Sequence, residues 1–258
     1  MKKIIFITTL TPQQNVSPLR TSLFEIYLKA LQSQSYPHWN ALLIGEFDKD
    51  SGNIKYIKTD AVSKSDKLLE VYKYLLNLPT KPDYLIRLDD DDIISPFALE
   101  QAANDEFDCF ADEFHSFYDI TSATISQQKR AWLPNTIIHK YQHAITPFGA
   151  EGLPLFAQDH SKTWHNFYAD KKIVYSEKLH PLYLRVISPT TITSRLNNNA
   201  HSKDTNFNIK LYNEYLKTFG KWKKSSGDDV FRLYCNDLIR IWEEHSNTKI
   251  TSKRKHFW

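Results

Sequence analysis

The sequence predicts a mixed α/β fold, with a mostly parallel sheet flanked by helices, and three observations carry that expectation. From residue 3 to residue 92 the pattern runs strand, helix, strand, strand, helix, strand. At 258 residues and 41% hydrophobic composition, the chain can bury a full core as one large domain, or as one domain with a C-terminal elaboration. The apolar run Tyr84-Leu85-Ile86-Arg87-Leu88 ends abruptly in Asp89-Asp90-Asp91-Asp92, which places four carboxylates at a strand end. In parallel α/β sheets, ligands gather beyond the carboxyl ends of strands.

The elements follow in order. Residues 3–9 form the first strand. Lys2-Lys3 before Ile4 to Ile7 has only a superficial likeness to a signal peptide, because the apolar part stops at Thr8-Thr9 and no small-residue cleavage site follows. A polar loop over 11–18 leads to a helix over 20–33, where Leu23, Ile26, Tyr27, Ala30 and Leu31 recur at helical spacing. Tyr36-Pro37 ends it, and strands over 41–44 and 54–57 flank a Gly45 to Gly52 turn region. Leu68, Leu69, Tyr72, Leu75 and Leu76 mark a second helix over 66–78, and Lys81-Pro82-Asp83 leads into the acidic strand. Ser95 and Pro96 then read as the N-cap and first residue of a helix reaching Ala103.

Four adjacent carboxylates repel one another, and a cation relieves the repulsion. Hard divalent ions such as Mg²⁺ and Mn²⁺ take carboxylate oxygens and share their remaining positions with water and phosphate. The turn therefore points to a metal with a phosphorylated substrate. An exposed acidic turn that only favours the following helix dipole is the alternative. An EF-hand loop is not one: Asp89, Asp91 and Glu100 stand at its first, third and twelfth positions, but Ile93 replaces an oxygen ligand and Ile94 the required glycine.

The net charge of +3 is modest and does not suggest nucleic-acid binding. No apolar run approaches the roughly 20 residues that span a bilayer. Cys109 and Cys235 are too few and too far apart for a disulfide framework or a zinc knuckle, so two buried thiols in a reducing, cytoplasmic compartment are expected.

Two stretches carry a family resemblance. Gln34-Ser35-Tyr36-Pro37-His38-Trp39, followed by Ala41 to Ile44, resembles the Gln-Thr-Tyr-Pro-x-Trp and strand signature of glycosyltransferase family 2. Leu88 to Pro96 is similar to that family's Asp-x-Asp-Asp-x-x-x-Pro motif. The matches cover residues 3 to 103, in the family's order. The acidic run and His180-Pro181-Leu182-Tyr183-Leu184-Arg185-Val186 also resemble, more faintly, a bacterial rhamnosyltransferase group. The resemblance implies a GT-A fold, a nucleoside-diphosphate sugar donor and a Mn²⁺ or Mg²⁺ ion bridging the motif to the diphosphate. It also implies an inverting sugar transfer to a saccharide or lipid-linked saccharide, in surface polysaccharide synthesis. On this reading residues 1–205 are the catalytic domain, with 1–103 the donor half and 104–205 the acceptor half, and 206–258 hold C-terminal helices and a basic tail.

Carried over by position, Asp89 lies near the donor ribose and Asp91 holds the metal, with Asp89 as its companion ligand and Asp90 the variable middle residue. Asp92 caps the next helix or supports Asp91. Thr9, Thr11 and Pro12 pack the nucleobase. Where the family usually has Asp-Asp after its second strand, this chain has Gly45-Glu46, with Asp50 at the later acidic position. Base recognition then falls to Glu46, or the donor is not a uridine nucleotide. Lys64 and Lys67 beside a helix start suit a diphosphate, as does Arg20, although exposed lysines need no such role.

The second half reads less sharply. Residues 107–119 are aromatic and acidic and suggest sheet edges; 121–132 and 136–141 suggest antiparallel strands; 147–154 is a glycine-bearing loop suited to the acceptor side. A capped helix begins near Gln158-Asp159, the region where family 2 places its catalytic carboxylate. Asp159 is the candidate base and Glu151 the second, with helix capping as the other use of Asp159. His160, His165 and His180 can offer an imidazole to the metal or serve as ordinary surface and core histidines. Arg195 and His201, in an Asn-rich loop, can close over the diphosphate. Helices over 209–219 and 228–245 follow, the second with Val230, Phe231, Tyr234, Leu238, Ile241 and Trp242 on one face. The tail Lys253-Arg254-Lys255-His256-Phe257-Trp258 suits an anionic membrane surface or plain disorder.

A nucleotidyltransferase that makes sugar nucleotides is a different class with similar metal sites, but no Gly-rich, basic phosphate loop follows the first strand. A non-catalytic carbohydrate binder that keeps a degenerate transferase fold is the non-enzyme reading.

Overall fold

The computed structural model describes residues 1–47, 50–158, 160–190 and 228–246. In chain order the elements are β1 (Ile4–Thr9), α1 (Pro18–Gln32), β2 (Trp39–Gly45), β3 (Ile54–Lys58), α2 (Lys64–Leu76), β4 (Tyr84–Arg87), β5 (Ile93–Ile94) and α3 (Ala98–Ala103). There follow β6 (Cys109–Ala111), β7 (Phe114–Asp119), β8 (Thr124–Lys129), β9 (Ile138–Lys140), α4 (Tyr141–Ala144), β10 (Pro147–Phe148) and β11 (Leu153–Pro154). A π-helical turn (His160–Trp164) runs into α5 (His165–Phe167), and β12 (Ile173–Tyr175), β13 (Tyr183–Ile187) and α6 (Arg232–Ser246) complete the order.

Seven strands form the main sheet in the order β12-β6-β9-β4-β1-β2-β3. β1 pairs in parallel with β2 and β4, and β2 with β3, while β9 runs antiparallel between β4 and β6. This is the mixed, mostly parallel, Rossmann-like sheet flanked by helices that the sequence predicts. The apolar runs of β1 and β2 are continuous because both faces are covered. Ile4 and Phe6 point to one hydrophobic cluster, shared with α1, α3 and α6, while Ile5 and Ile7 point to another under α2 and α4. Local chemistry sets the helix starts. Ser17 accepts the Arg20 amide at 3.1 Å ahead of Pro18, and Ser63 accepts the Asp66 amide at 3.0 Å while its hydroxyl bonds the Asp66 carboxylate at 2.6 Å.

A second sheet has the order β5-β13-β7-β8. Its first member corrects the sequence reading after the acidic turn. Ile93 and Ile94 are a strand, paired antiparallel with Leu184 and Tyr183, and the helix begins only at Ala98. Pairing across some ninety residues outweighs the local Ser-Pro helix signal. The 147–154 segment is a hairpin, β10 with β11, and the expected antiparallel strands appear as β8 and β9. α6 packs Tyr234, Cys235, Leu238, Ile241 and Trp242 into the cluster it shares with α1. Both cysteines are buried and free. Among the described residues no helix is long and apolar enough to cross a membrane. Arg195, His201, the 209–219 helix and the basic tail lie outside the described residues.

Asp112 ties the two sheets together. Its carboxylate accepts the Leu182 amide at 2.6 Å and the Ser176 hydroxyl, and is 1% exposed. Burial pushes that carboxyl up to about 7 against the pull of these hydrogen bonds. Its contribution to stability is therefore full below the unfolded value near pH 4 and is lost as pH rises through about 7. Asp112→Asn is expected to narrow the stability difference between pH 5 and pH 8 by on the order of 3 kcal/mol, read from urea midpoints. An undiminished difference in the variant would show that Asp112 does not titrate in this range.

Candidate functional site

The acidic turn lies at the carboxyl end of β4, beside the end of β1, where Leu88 N still donates to Ile7 O at 3.0 Å. Each carboxylate has its own setting. The Thr11 amide donates to Asp90 at 2.8 Å, fixing the loop after β1 against the turn. The Arg20 guanidinium, from the first turn of α1, forks between Asp90 and Asp91, and all three side chains are buried. Asp92 is 3% exposed and accepts the Val186 amide of β13 at 3.1 Å. It ties the turn to the second sheet and does not cap α3. Asp89 is the accessible member, with a side chain 31% exposed and Lys64 Nζ at 2.5 Å. Asn135, oriented by the Tyr183 hydroxyl at 2.7 Å, reaches toward Asp89 and Asp92 at 3.5 and 3.4 Å.

These settings separate the four acids electrostatically. Burial works against the charge of Asp89, but Lys64 and Arg87 outweigh it and hold that carboxyl below the usual range. Burial pushes Asp91 up to about 6 in spite of Arg20, and the neighbouring Asp90 and Asp89 add to the push. Asp92 is raised well above the ordinary value, by burial first and then by Asp91 and Asp89. Four cations, Arg20, Lys64, Arg87 and Arg185, stand around the four acids, so burial comes first in raising Asp91 and Asp92 and the neighbouring carboxylates add to it.

The other expected residues are placed as follows. Thr9 ends β1, and Pro12 precedes a short 3-10 turn at Gln13–Asn15, whose first amide donates to Glu46 at 3.2 Å. Glu46 is thus on the rim beside the β1 loop. A Cβ at Gly45 would stand 2.9 Å from Leu10 Cβ, so Leu10 leaves no room for a side chain at this position. Asp50 is exposed and accepts the Tyr56 amide at 3.2 Å, within the connection between β2 and β3. Lys67 differs from expectation: it is 2% exposed and its ammonium donates to Leu10 O at 2.7 Å, holding the β1 loop from beneath. Glu151 is exposed in the β10–β11 turn. His160 bonds Leu133 O at 3.1 Å, His165 is exposed, and His180 pairs with Glu177 at 3.0 Å. Asp159 lies outside the described residues.

Sequence reasoning gave no site role to Arg87, Asn135, Tyr183 or Arg185. Two of them did leave a signal, since Arg87 and Arg185 are charges inside otherwise apolar strands, Tyr84–Arg87 and Tyr183–Ile187. Arg20 and Lys67 leave the same kind of signal on the buried stripes of their helices.

The donor chemistry suits a hard divalent cation. Among the described residues no three His, Cys, Asp or Glu side chains gather as a preformed metal cage. Mg²⁺ and Mn²⁺ are commonly bound through one or two carboxylates plus phosphate and water, however, and Asp89 with Asp91 is a set of that size. Burial and the neighbouring carboxylates work against the charge of Asp91, and a bound divalent ion would favour that charge.

No protein-family model and no curated protein matches the sequence. Solved structures that align with the chain include residues 1–349 of S. aureus TarS, at 13% identity and TM-score 0.45, covering 94% of this chain and 82% of that one. Glycosyltransferase GlyE of Streptococcus pneumoniae matches at 11% identity and TM-score 0.38, covering 88% of this chain and 66% of that one. The 4-diphosphocytidyl-2C-methyl-D-erythritol synthase of Anaerococcus prevotii matches at 11% identity and TM-score 0.36, covering 84% and 96%. At these TM-scores the likenesses do not decide the chemistry.

Proposed function

We propose that this chain is a glycosyltransferase that takes a sugar from a nucleoside-diphosphate donor and passes it to a saccharide or lipid-linked saccharide, as in the building of a surface polysaccharide. The observation that carries the reading is the accessible Asp89 beside buried Asp91 at the carboxyl end of β4, with Lys64 at its rim and Arg20 behind it. Acids for a cation and a lysine for phosphate stand together at the edge where α/β sheets bind ligands.

Asp89 and Asp91 would hold Mg²⁺ or Mn²⁺, which supplies charge neutralisation for the departing diphosphate. Lys64, already within reach of Asp89, can turn to the diphosphate as that carboxylate is taken up. Arg20 keeps Asp90 and Asp91 oriented. The Thr11 and Pro12 loop, anchored on Asp90 and Lys67, and Glu46 beside it form the side for the nucleoside. In an inverting transfer the acceptor oxygen attacks the anomeric carbon, the bond from that carbon to the diphosphate oxygen breaks, and the hydroxyl proton passes to a carboxylate within hydrogen-bond reach. Asp159 is the proposed base on its sequence position, with Glu151 second. A lipid-linked acceptor would draw on the basic, aromatic tail.

The test is thermal stability and hydrolysis against a panel of UDP-, GDP- and dTDP-sugars with and without Mn²⁺. A donor at about 100 times its Kd should stabilise the fold by about 2.7 kcal/mol, with slow release of nucleoside diphosphate. Binding without any turnover would instead indicate a carbohydrate-recognition protein. Consumption of a nucleoside triphosphate with a sugar phosphate would indicate a nucleotidyltransferase.

A further inference from the structure

The acidic turn is touched from two sides. Thr11, Arg20 and Lys64 come from elements that precede β4 in the chain, and they approach the turn from the β1 side. Asn135 comes from after it, and behind Asn135 stand His160, bonded to Leu133 O, and Phe156 and Gln158, bonded to Arg87. If the first group holds the donor, the second is the wall left to receive the acceptor. Arg87, which is 6% exposed and two residues before Asp89, reaches into that second wall. One of its terminal nitrogens donates to Phe156 O at 2.7 Å and to Gln158 O at 2.9 Å, and the guanidinium lies 4.5 Å from the Trp164 ring.

The contacts continue outward from there. The Gln158 side-chain amide donates to Phe148 O at 2.6 Å and Leu153 O at 2.5 Å, closing the β10–β11 hairpin that carries Glu151. Trp164 donates to Leu155 O at 2.7 Å and stacks edge-on with the buried His139 at 4.6 Å. His160 bonds Leu133 O, two residues from Asn135, so the same wall returns to the acidic turn by a second route.

We propose that Arg87 is a positioning residue that sets the 147–158 acceptor wall against the donor-binding carboxylates, so that β4 fixes both partners of the reaction. The functional half of this inference rests on the glycosyltransferase reading; the structural half does not. A guanidinium suits the task because its planar charge can stack on indole while donating to two carbonyls, which an ammonium on a flexible stem does less well.

The experiment uses the full chain as wild type, Arg87→Lys, Arg87→Met and Gln158→Leu, the last keeping the arginine in case Arg87→Met does not fold. Amide hydrogen exchange is expected to speed up at 147–158 in Arg87→Met, to do so less in Arg87→Lys, and to stay unchanged over α1. Gln158→Leu should free the hairpin alone. With the nucleotide-sugar that stabilises the wild type as probe, hydrolytic kcat should fall about 100-fold in Arg87→Met while donor KM stays within about twofold, as for misplacement without loss of binding. Arg87→Lys should recover part of that loss. Unchanged exchange at 147–158 overturns the proposal, and so does a rise in donor KM without a fall in kcat. If the wild type binds no member of the panel, the glycosyltransferase reading fails and the exchange data still decide the role of Arg87.

Discussion

Asp91→Asn is expected to weaken Mn²⁺-dependent donor binding by about 100-fold or more while leaving the fold intact. The asymmetry comes from what the carboxylate does in each state. In the apo chain Asp91 is buried, its carboxyl is raised to about 6, and like charges crowd it, so its ionised form costs stability. Asparagine keeps an oxygen that can accept from Arg20 and removes that cost, so apo stability should hold or rise slightly. In the donor complex the lost charge is one of two that would face the metal. Calorimetric titration with Mn²⁺ and nucleoside diphosphate reads the effect directly. Unchanged affinities would remove Asp91 from the site, and a large loss of stability would make its role structural.

Arg20→Met is expected to destabilise the protein by about 3–5 kcal/mol at pH 7.5, because it leaves Asp90 and Asp91 buried without the cation between them. The loss should shrink at pH 5.5. Asp91, already titrating near 6, would be pushed higher still without Arg20 and would take up a proton as pH falls, which removes the uncompensated charge. Urea denaturation at the two pH values checks both the size and the sign. A loss that is equal at both would mean that Arg20 acts through packing and not through charge.

The N-terminal half of the fold was largely legible because its signals are local. Helical spacing through Leu23, Tyr27 and Leu31, and through Leu68 and Leu75, gave α1 and α2, and unbroken apolar runs gave β1, β2 and β4 within about two residues. The second sheet was not, since β5 is only two residues long and its partner β13 lies far along the chain. No local pattern announces such a pair. The acidic turn was found, but its internal counter-charges were not assigned. Arg20 meets Asp90 across seventy residues and Lys64 meets Asp89 across twenty-five, so self-repulsion in the sequence argued for a metal before the protein's own cations were counted. The charge on a buried stripe at Arg20 and Lys67, and inside a strand at Arg87, is the general sign that a distant partner exists.

The acidic turn also has a mechanical meaning. It is a short covalent bridge, Leu88 to Asp92, between β4 in one sheet and β5 in the other, and Asp92 adds a bond to β13. Ionising the buried Asp91 and Asp92 works against this bridge, so at neutral pH the smaller sheet is expected to come apart at lower denaturant than the larger. A cation held at the turn would offset that cost, and the two sheets would then share one cooperative unit. Ligand affinity would then be felt at β7 and β8, in hairpin positions that never touch the ligand, as a merging of two unfolding transitions into one.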